Sequence, residues 1–334
     1  MSATMQLDHL IITRFCVRMQ GALQTVGGPT FFADRDPLAP DNLALRWRLM
    51  HFTSLPSVRA QTDPDVEWVV MVDRDLPPPL RRRMESWVAG TRRAHLHVHT
   101  PGQDLVGLDW LAPYLRPGAT HVLTTTLDDD DVLPADTAAG FRRHVEALYA
   151  QGNLPPAMIL AFTRVLQWDL LPSPLAPLGY RTPWHRGRFP ASCGFSLLSA
   201  VGEDTSVMAL RHRFGDVFFD RDAEVKNENV AFARQRFAHV LQAWPKEALF
   251  WDAADALGPV LMSNHFVNDQ QTRLSETRHR RTRVRSFGDL PYPIDWAAYA
   301  RHAWRFSSWH PDYLQRRVRG AARRVQSALR GTAR

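Results

Sequence analysis

Cysteine and lysine are almost missing from this chain of 334 residues. Two cysteines, Cys16 and Cys193, cannot build a disulfide framework, and no short Cys spacing of the zinc type is present. A reducing cytoplasm is therefore the expected setting. Lys226 and Lys246 are the only lysines, so nearly all positive charge is arginine. No apolar run approaches the ~20 residues of a membrane-spanning helix. Met1 to Gln6 lacks a basic stretch followed by an apolar core, which predicts no secretory leader. There is no P-loop, no dinucleotide-binding glycine pattern and no Gly-x-Ser-x-Gly elbow. Phosphate binding by this chain would have to rest on metal and arginine.

What is present is an ordinary globular composition, 45% hydrophobic and 22% charged, long enough for one large α/β domain or two smaller ones. The net charge of +7 is unevenly placed. From Arg273 to Arg334, 15 arginines face only Glu276, Asp289, Asp295 and Asp312, a net +11 that leaves −4 for the remainder. Within that segment Leu314, Val318, Ala321, Ala322, Val325 and Leu329 fall at helical spacing, with arginines filling much of the rest. Such a basic amphipathic helix, over about 311–330, suits peripheral contact with an anionic membrane at its inner face. A docked terminal helix with solvated arginines is the plainer alternative.

The first 150 residues alternate strand and helix. Strands are predicted at Asp8–Thr13, Glu67–Asp73, His95–His99 and His121–Thr126, and helices after Asp41, near Leu80–Ala89, over Leu105–Leu115 and from Asp136 to Tyr149. This pattern predicts an α/β fold with a mostly parallel central sheet flanked by helices. Beyond it, Ala157–Phe162 and Val165–Trp168 read as a hairpin, Gly194–Leu198 and Phe237–Trp244 as short strands, and Pro172–Pro190 as loop.

The strand His121–Thr126 runs through Leu127 into four consecutive carboxylates, Asp128 to Asp131. Adjacent like charges repel, and hard oxygen ligands suit Mg²⁺, Mn²⁺ or Ca²⁺. In open α/β sheets ligands bind at the carboxyl ends of strands, so this run is a candidate metal-and-phosphate site. A solvated acidic turn is the alternative. Asp73 also closes an apolar strand and should lie at the same sheet edge. His95, His97 and His99 share one strand face, an arrangement that more often lines a polar surface than binds a metal.

Four segments resemble a known family, the "putative rhamnosyltransferases" of the GT-A glycosyltransferase type. They are Ile12-Thr13-Arg14-Phe15, Leu55-Pro56-Ser57-Val58-Arg59-Ala60-Gln61, Glu67-Trp68 through Val72-Asp73, and Leu123-Thr124-Thr125 through Leu127-Asp128-Asp129-Asp130-Asp131. Asn264-His265 with Asn268 is similar to a His-and-Asn segment near that family's C-terminus. The resemblance implies a GT-A-like domain over 1–270, with a donor-nucleotide half at 1–135 and an acceptor half at 136–270, followed by a basic extension at 271–334. It implies a metal site for Mn²⁺ or Mg²⁺ at Asp128, Asp130 and His265. Thr13, Arg14, Asp73 and Asp128 would border the nucleotide-sugar donor. A general base for the acceptor hydroxyl falls on Asp204, with Glu203 as its neighbour.

The expected activity is transfer of a sugar, rhamnose from a dTDP donor in the sharpest form, onto a polysaccharide or lipid-linked glycan. A sugar nucleotidyltransferase is a second enzyme reading, although Val26-Gly27-Gly28 is a poor phosphate loop. A non-catalytic binder of membrane or nucleic acid through the arginine-rich C-terminus is the rival from another class. The acidic balance of the rest of the chain argues against nucleic acid.

Overall fold

A computed structural model of the chain describes residues 5–18, 36–100, 102–170, 172–185, 190–210, 234–265, 281–307 and 310–311. They divide into two compact units that interleave along the chain. The larger comprises Met1–Leu166, Pro183–Met262 and Tyr292–Asp295; the smaller comprises Gln167–Thr182, Ser263–Pro291 and Trp296–Arg334.

The larger unit is built on a seven-stranded sheet. Its strands are β1 (Leu7–Phe15), β2 (Glu67–Asp73), β3 (Ala94–His99), β4 (His121–Thr126), β5 (Ala157–Ala161), β8 (Ser196–Ala200) and β9 (Phe250–Asp252), in the order β3-β2-β1-β4-β8-β5-β9. β1, β2, β3 and β4 pair in parallel, β8 runs antiparallel to both β4 and β5, and β9 is parallel to β5. One strand of seven is thus reversed, and the mostly parallel sheet expected from the strand–helix alternation is what forms.

Alternate residues of each strand feed two apolar layers. Leu7, Ile11, Phe15, Trp68, Val70 and Val72 pack with residues of helices α1 (Pro40–Phe52), α2 (Ser54–Arg59), α3 (Pro78–Ala89) and α4 (Thr137–Ala150). Leu10, Ile12, Val69 and Met71 face the opposite layer, with Leu105, Trp110, Val207, Val240 and Leu241. Central strands of such a sheet are buried on both faces, which explains why β1 and β2 read as near-continuous apolar runs.

β4 is equally buried but rich in threonine, and its hydroxyls are all engaged. Thr124 Oγ1 accepts from the Val207 amide at 2.8 Å, Thr125 Oγ1 bonds Ser196 Oγ at 2.7 Å, and Thr126 Oγ1 donates to the Ser192 carbonyl at 2.6 Å. Thr125 also meets Nε2 of His9, at 2.8 Å, a fully buried imidazole stacked on Phe141. Burial pushes the His9 pKa down to about 3, against the pull of Asp63 and with a push from Arg142. An unfolded histidine titrates near 6.5, so below that pH the unfolded chain binds a proton that the folded chain refuses. His9 thus stabilises the fold fully above pH ~6.5, and this contribution is lost as pH falls toward ~3, by about 1.4 kcal/mol per pH unit. Urea melts between about pH 6 and pH 5, above most carboxylate titrations, should show this slope as the difference between wild type and His9→Gln, in which titrations common to both, the raised Asp129 carboxyl among them, cancel. Equal pH dependence in the two would assign the loss to other groups.

Several local expectations change. Phe237–Trp244 is not a strand: Ala238–Ala243 form helix α5, whose Val240 and Leu241 are buried. A single apolar turn has too short a period to distinguish the two states. Ala157–Phe162 and Val165–Trp168 do not form a hairpin, because β5 joins the large sheet while β6 (Arg164–Asp169) joins another. Leu105–Leu115 holds only a 3₁₀ stretch, Asp109–Tyr114, with Pro113 inside it. The region 172–190 contains strand β7 (Tyr180–His185).

The smaller unit draws on a four-stranded sheet of order β10-β6-β7-β11, with β10 at Val260–Asn264 and β11 at Thr282–Arg283. Within it, Asp169 is buried against Arg281, at 2.7 Å, and Asn264 Nδ2, at 2.8 Å. Trp168 packs on Trp296 and Tyr299 of a helix at Trp296–Phe306. The amphipathic stretch 314–329 lies outside the described residues, as does Asn268. Among the described residues no helix is long and apolar enough to cross a membrane.

Candidate active site

Parallel pairing of β1 with β2 and β4 brings the C-terminal ends of all three strands to one sheet edge. The acidic run follows β4 there. Its backbone is fixed from the α1–α2 segment: Thr53 and Ser54 hydroxyls donate to the Asp129 carbonyl at 3.3 and 3.4 Å. Ser57 Oγ accepts from the Leu133 amide at 2.8 Å, and Gln61 bridges the Pro134 carbonyl and the Ala138 amide, at 3.0 Å each. The polar members of the Leu55–Gln61 motif thus clamp the chain that leaves the acidic run. Val132 adds a two-way backbone bridge to Leu261.

The four carboxylates occupy different environments. Asp128 is about one-third exposed and meets Arg14 Nη2 at 3.4 Å. Asp129 is fully buried. The guanidinium of Arg46, from α1, grips both its oxygens, with Nε on Oδ2 at 3.0 Å and Nη2 on Oδ1. The remaining nitrogen, Nη1, reaches Asp130 Oδ2 at 3.1 Å. Burial raises the Asp129 pKa to about 7; Arg46 opposes the rise and the neighbouring Asp130 and Asp128 add to it. Burial works against the charge of Arg46 too, but Asp129 and Asp130 outweigh it and hold the guanidinium protonated. The repulsion that the sequence leaves to a cation is therefore partly answered by an arginine.

Asp73 emerges at the same edge, as expected from its strand, but only 1% exposed. Arg18 donates to it from its amide at 3.0 Å, from Nε at 3.1 Å and from Nη2 at 2.8 Å, and the Asp75 amide adds a bond at 2.9 Å. Burial raises the Asp73 pKa, but these donors prevail and hold it below the usual carboxylate range. The chain leaves β1 through Cys16 at φ 50°, a left-handed conformation that is uncommon outside glycine, and two residues later Arg18 reaches Asp73. Asp73 thus fixes the loop after β1, and Arg18, 39% exposed, is the group it presents.

Thr13 requires correction as a donor contact. Its side chain is fully buried on the opposite face from Arg14, and its hydroxyl accepts from Trp68 Nε1 at 3.0 Å. Arg14 is the member of the pair that reaches the edge.

Glu203 and Asp204 require a larger correction. β8 is antiparallel to β4, with Ala200 opposite His121 and Ser196 opposite Thr125. The turn after Ala200 therefore lies beyond the start of β4, while the acidic run lies beyond its end, roughly 20 Å away at ~3.3 Å per residue. There Glu203 Oε1 bonds His239 Nε2 at 2.8 Å, and Asp204, at φ 44°, accepts from the Gly202 amide at 3.4 Å. Glu203→Gln and Asp204→Asn should leave turnover within about threefold of wild type, since surface changes away from a site seldom exceed ~0.5 kcal/mol. A hundredfold loss in either would restore this pair as the base.

His265 is buried at the end of β10 and belongs to the smaller unit, next to the Asn264 side chain held by Asp169. His95 bonds Glu67 at 2.8 Å, and His97 bonds Tyr114 and Gln103, each at 3.2 Å, so both line a polar sheet face. Among the described residues no three His, Cys, Asp or Glu side chains converge on a point that could hold a metal ion. Two-carboxylate ligation is nonetheless chemically apt for Mg²⁺ or Mn²⁺: the acidic run offers hard oxygen donors, one of them partly exposed, at a sheet edge.

Arg46 and Arg18 are the site residues that sequence patterning missed, and for Ser57 and Gln61 it marked the motif but not its task. One clue was available: Arg46 falls on the same helical stripe as Leu43, Trp47 and Met50, and a charge on a core-facing stripe needs a buried partner.

A family model described as "Putative rhamnosyl transferase" matches residues 8–214. No curated protein matches the chain. Among solved structures, Staphylococcus aureus TarS 1-349 is similar at 12% identity over 55% of this chain, with TM-score 0.26, and the match spans half the length of that protein. A "putative nucleotide-diphospho-sugar transferase" from Desulfovibrio desulfuricans G20 is similar at 7% identity, over 70% of this chain and 77% of that one, with TM-score 0.30. Mouse xyloside xylosyltransferase 1 in its apo form shows 11% identity over 74% and 84% of the two chains, with TM-score 0.30. With well over half its length matched by the family model, from the end that carries β1 to the residues beyond β8, the chain belongs to the family described as "Putative rhamnosyl transferase".

Proposed function

We propose that the protein is a metal-dependent glycosyltransferase that binds a nucleoside diphosphate sugar at the carboxyl edge of its large sheet. The observation that carries this reading is the emergence of Asp128–Asp131 beside the ends of β1 and β2, where Arg14 and Arg18 are each about two-fifths exposed. Asp128 and Asp130 would hold Mn²⁺ or Mg²⁺. The ion would supply charge neutralisation to the departing diphosphate. Arg14 offers a planar fork suited to phosphate oxygens, and Arg18, whose Nε and Nη2 are held by Asp73, adds positive charge at the same edge. Family membership favours rhamnose as the sugar; the donor would carry it on dTDP, and the acceptor would be a polysaccharide or lipid-linked glycan. The basic stretch at about 311–330 would keep the protein near anionic membrane.

Hydrolysis of a panel of nucleotide sugars, with Mn²⁺ or with EDTA, tests this directly. Slow metal-dependent release of one nucleoside diphosphate would support the reading and identify the donor. Absence of both hydrolysis and calorimetric binding across the panel would overturn it. Pyrophosphorolysis in place of sugar transfer would favour a nucleotidyltransferase.

A further inference from the structure

We propose that Arg46 competes with the divalent cation for Asp130, and so sets the affinity of the acidic run for Mn²⁺ or Mg²⁺. This rests on the metal reading above. The guanidinium is held rigidly, because α1 buries Leu43, Leu45, Leu49, Met50 and Phe52 and the Arg46 side chain is only 16% exposed. Its fork is divided unequally. Two nitrogens go to Asp129, which is wholly buried, and a single one reaches Asp130.

The division separates the roles of neighbouring carboxylates. Asp129 takes the bidentate edge, the stronger and more directional arrangement, and has no exposed surface through which to meet a cation. Asp130 shares one oxygen with Nη1. A cation taking that oxygen as ligand must share it with the hydrogen bond or displace it, and in either case it stands close to a fixed positive charge. No covalent bond changes: a cation-bound water is exchanged for a carboxylate oxygen, and an N–H so released turns to solvent or to Asp129. The arrangement keeps four consecutive carboxylates folded without metal, and it weakens metal binding in return.

Mn²⁺ titration of the full-length protein, followed by the electron paramagnetic resonance signal of free Mn²⁺, tests the competition without any turnover. The informative variant is the paired replacement Arg46→Met with Asp129→Leu, which removes one charge of each sign. It should bind Mn²⁺ at least ~10-fold more tightly than wild type, the scale of one charge-assisted hydrogen bond. Arg46→Lys is the second variant: a lysine committed to buried Asp129 keeps the charge but loses the fork, and should show a smaller gain. It decides the matter if thermal melts show the paired variant unfolded. Equal or weaker Mn²⁺ affinity in the folded variant would overturn the competition and leave the metal reading standing. No Mn²⁺ binding by any form would overturn both.

Discussion

Asp130→Asn should lower turnover of the nucleotide sugar by roughly 100-fold or more while the protein stays folded. Asparagine keeps the shape of the side chain and an oxygen to accept from Arg46 Nη1, so the local packing survives. It removes the charge that would hold a divalent cation against the diphosphate, and losing one electrostatic group aimed at developing charge typically costs ~10²–10³ in rate. Asp128→Asn should act differently. Asp128 is partly exposed and opposite Arg14, so its loss should chiefly raise the KM for the donor. Initial rates of nucleoside diphosphate release at varied donor and Mn²⁺ read both variants, with Asp204→Asn as the control from the far sheet edge. Turnover of Asp130→Asn within about threefold of wild type would remove Asp130 from the metal site.

Arg46→Met alone should destabilise the larger unit by about 3–5 kcal/mol, the cost of leaving a buried charge without its partner. The arginine lies 16% exposed against a carboxylate with no exposure at all, so water cannot take over its role. Proton uptake by Asp129 limits the loss increasingly as pH falls, since burial raises its pKa and Arg46 is the group that opposes the rise. Equilibrium urea unfolding at pH 8 measures the loss. The paired change with Asp129→Leu should recover most of it, because replacing both partners of a buried ion pair by apolar groups is often neutral or stabilising. Failure of the second change to recover stability would show that Arg46 supports the fold by its packing and not through Asp129.

Much of the donor-side half was legible without coordinates. β2 and β4 have the predicted bounds, and β1 and β3 differ by one or two residues at their ends. Their β-branched and apolar runs leave little alternative, and turn residues stop them. Placing Asp73 and Asp128 at one edge followed from strand–helix alternation alone, because helical crossovers return the chain in the same direction. The motif Leu55–Gln61 was visible too, but its task was not. Ser57 and Gln61 act on the backbone of Leu133, Pro134 and Ala138, more than 70 residues away.

Sequence by itself determined the parallel half-sheet, the carboxylates at its edge and the family. Tertiary structure alone decided three things. The direction of β8 is set by pairing with β4 across some 70 residues, and it carries Glu203 and Asp204 to the far edge. A local pattern records that a strand forms, not which way it runs. Whether Phe237–Trp244 becomes helix or strand, and which sheet the strand after β5 joins, depended on which layer was left to cover. And the neutralisation of Asp129 by Arg46 depended on a helix packing over the edge. Short-range physics writes periodicity into the chain, whereas the partners of a buried charge are chosen by whichever distant segments the folded core brings beside it.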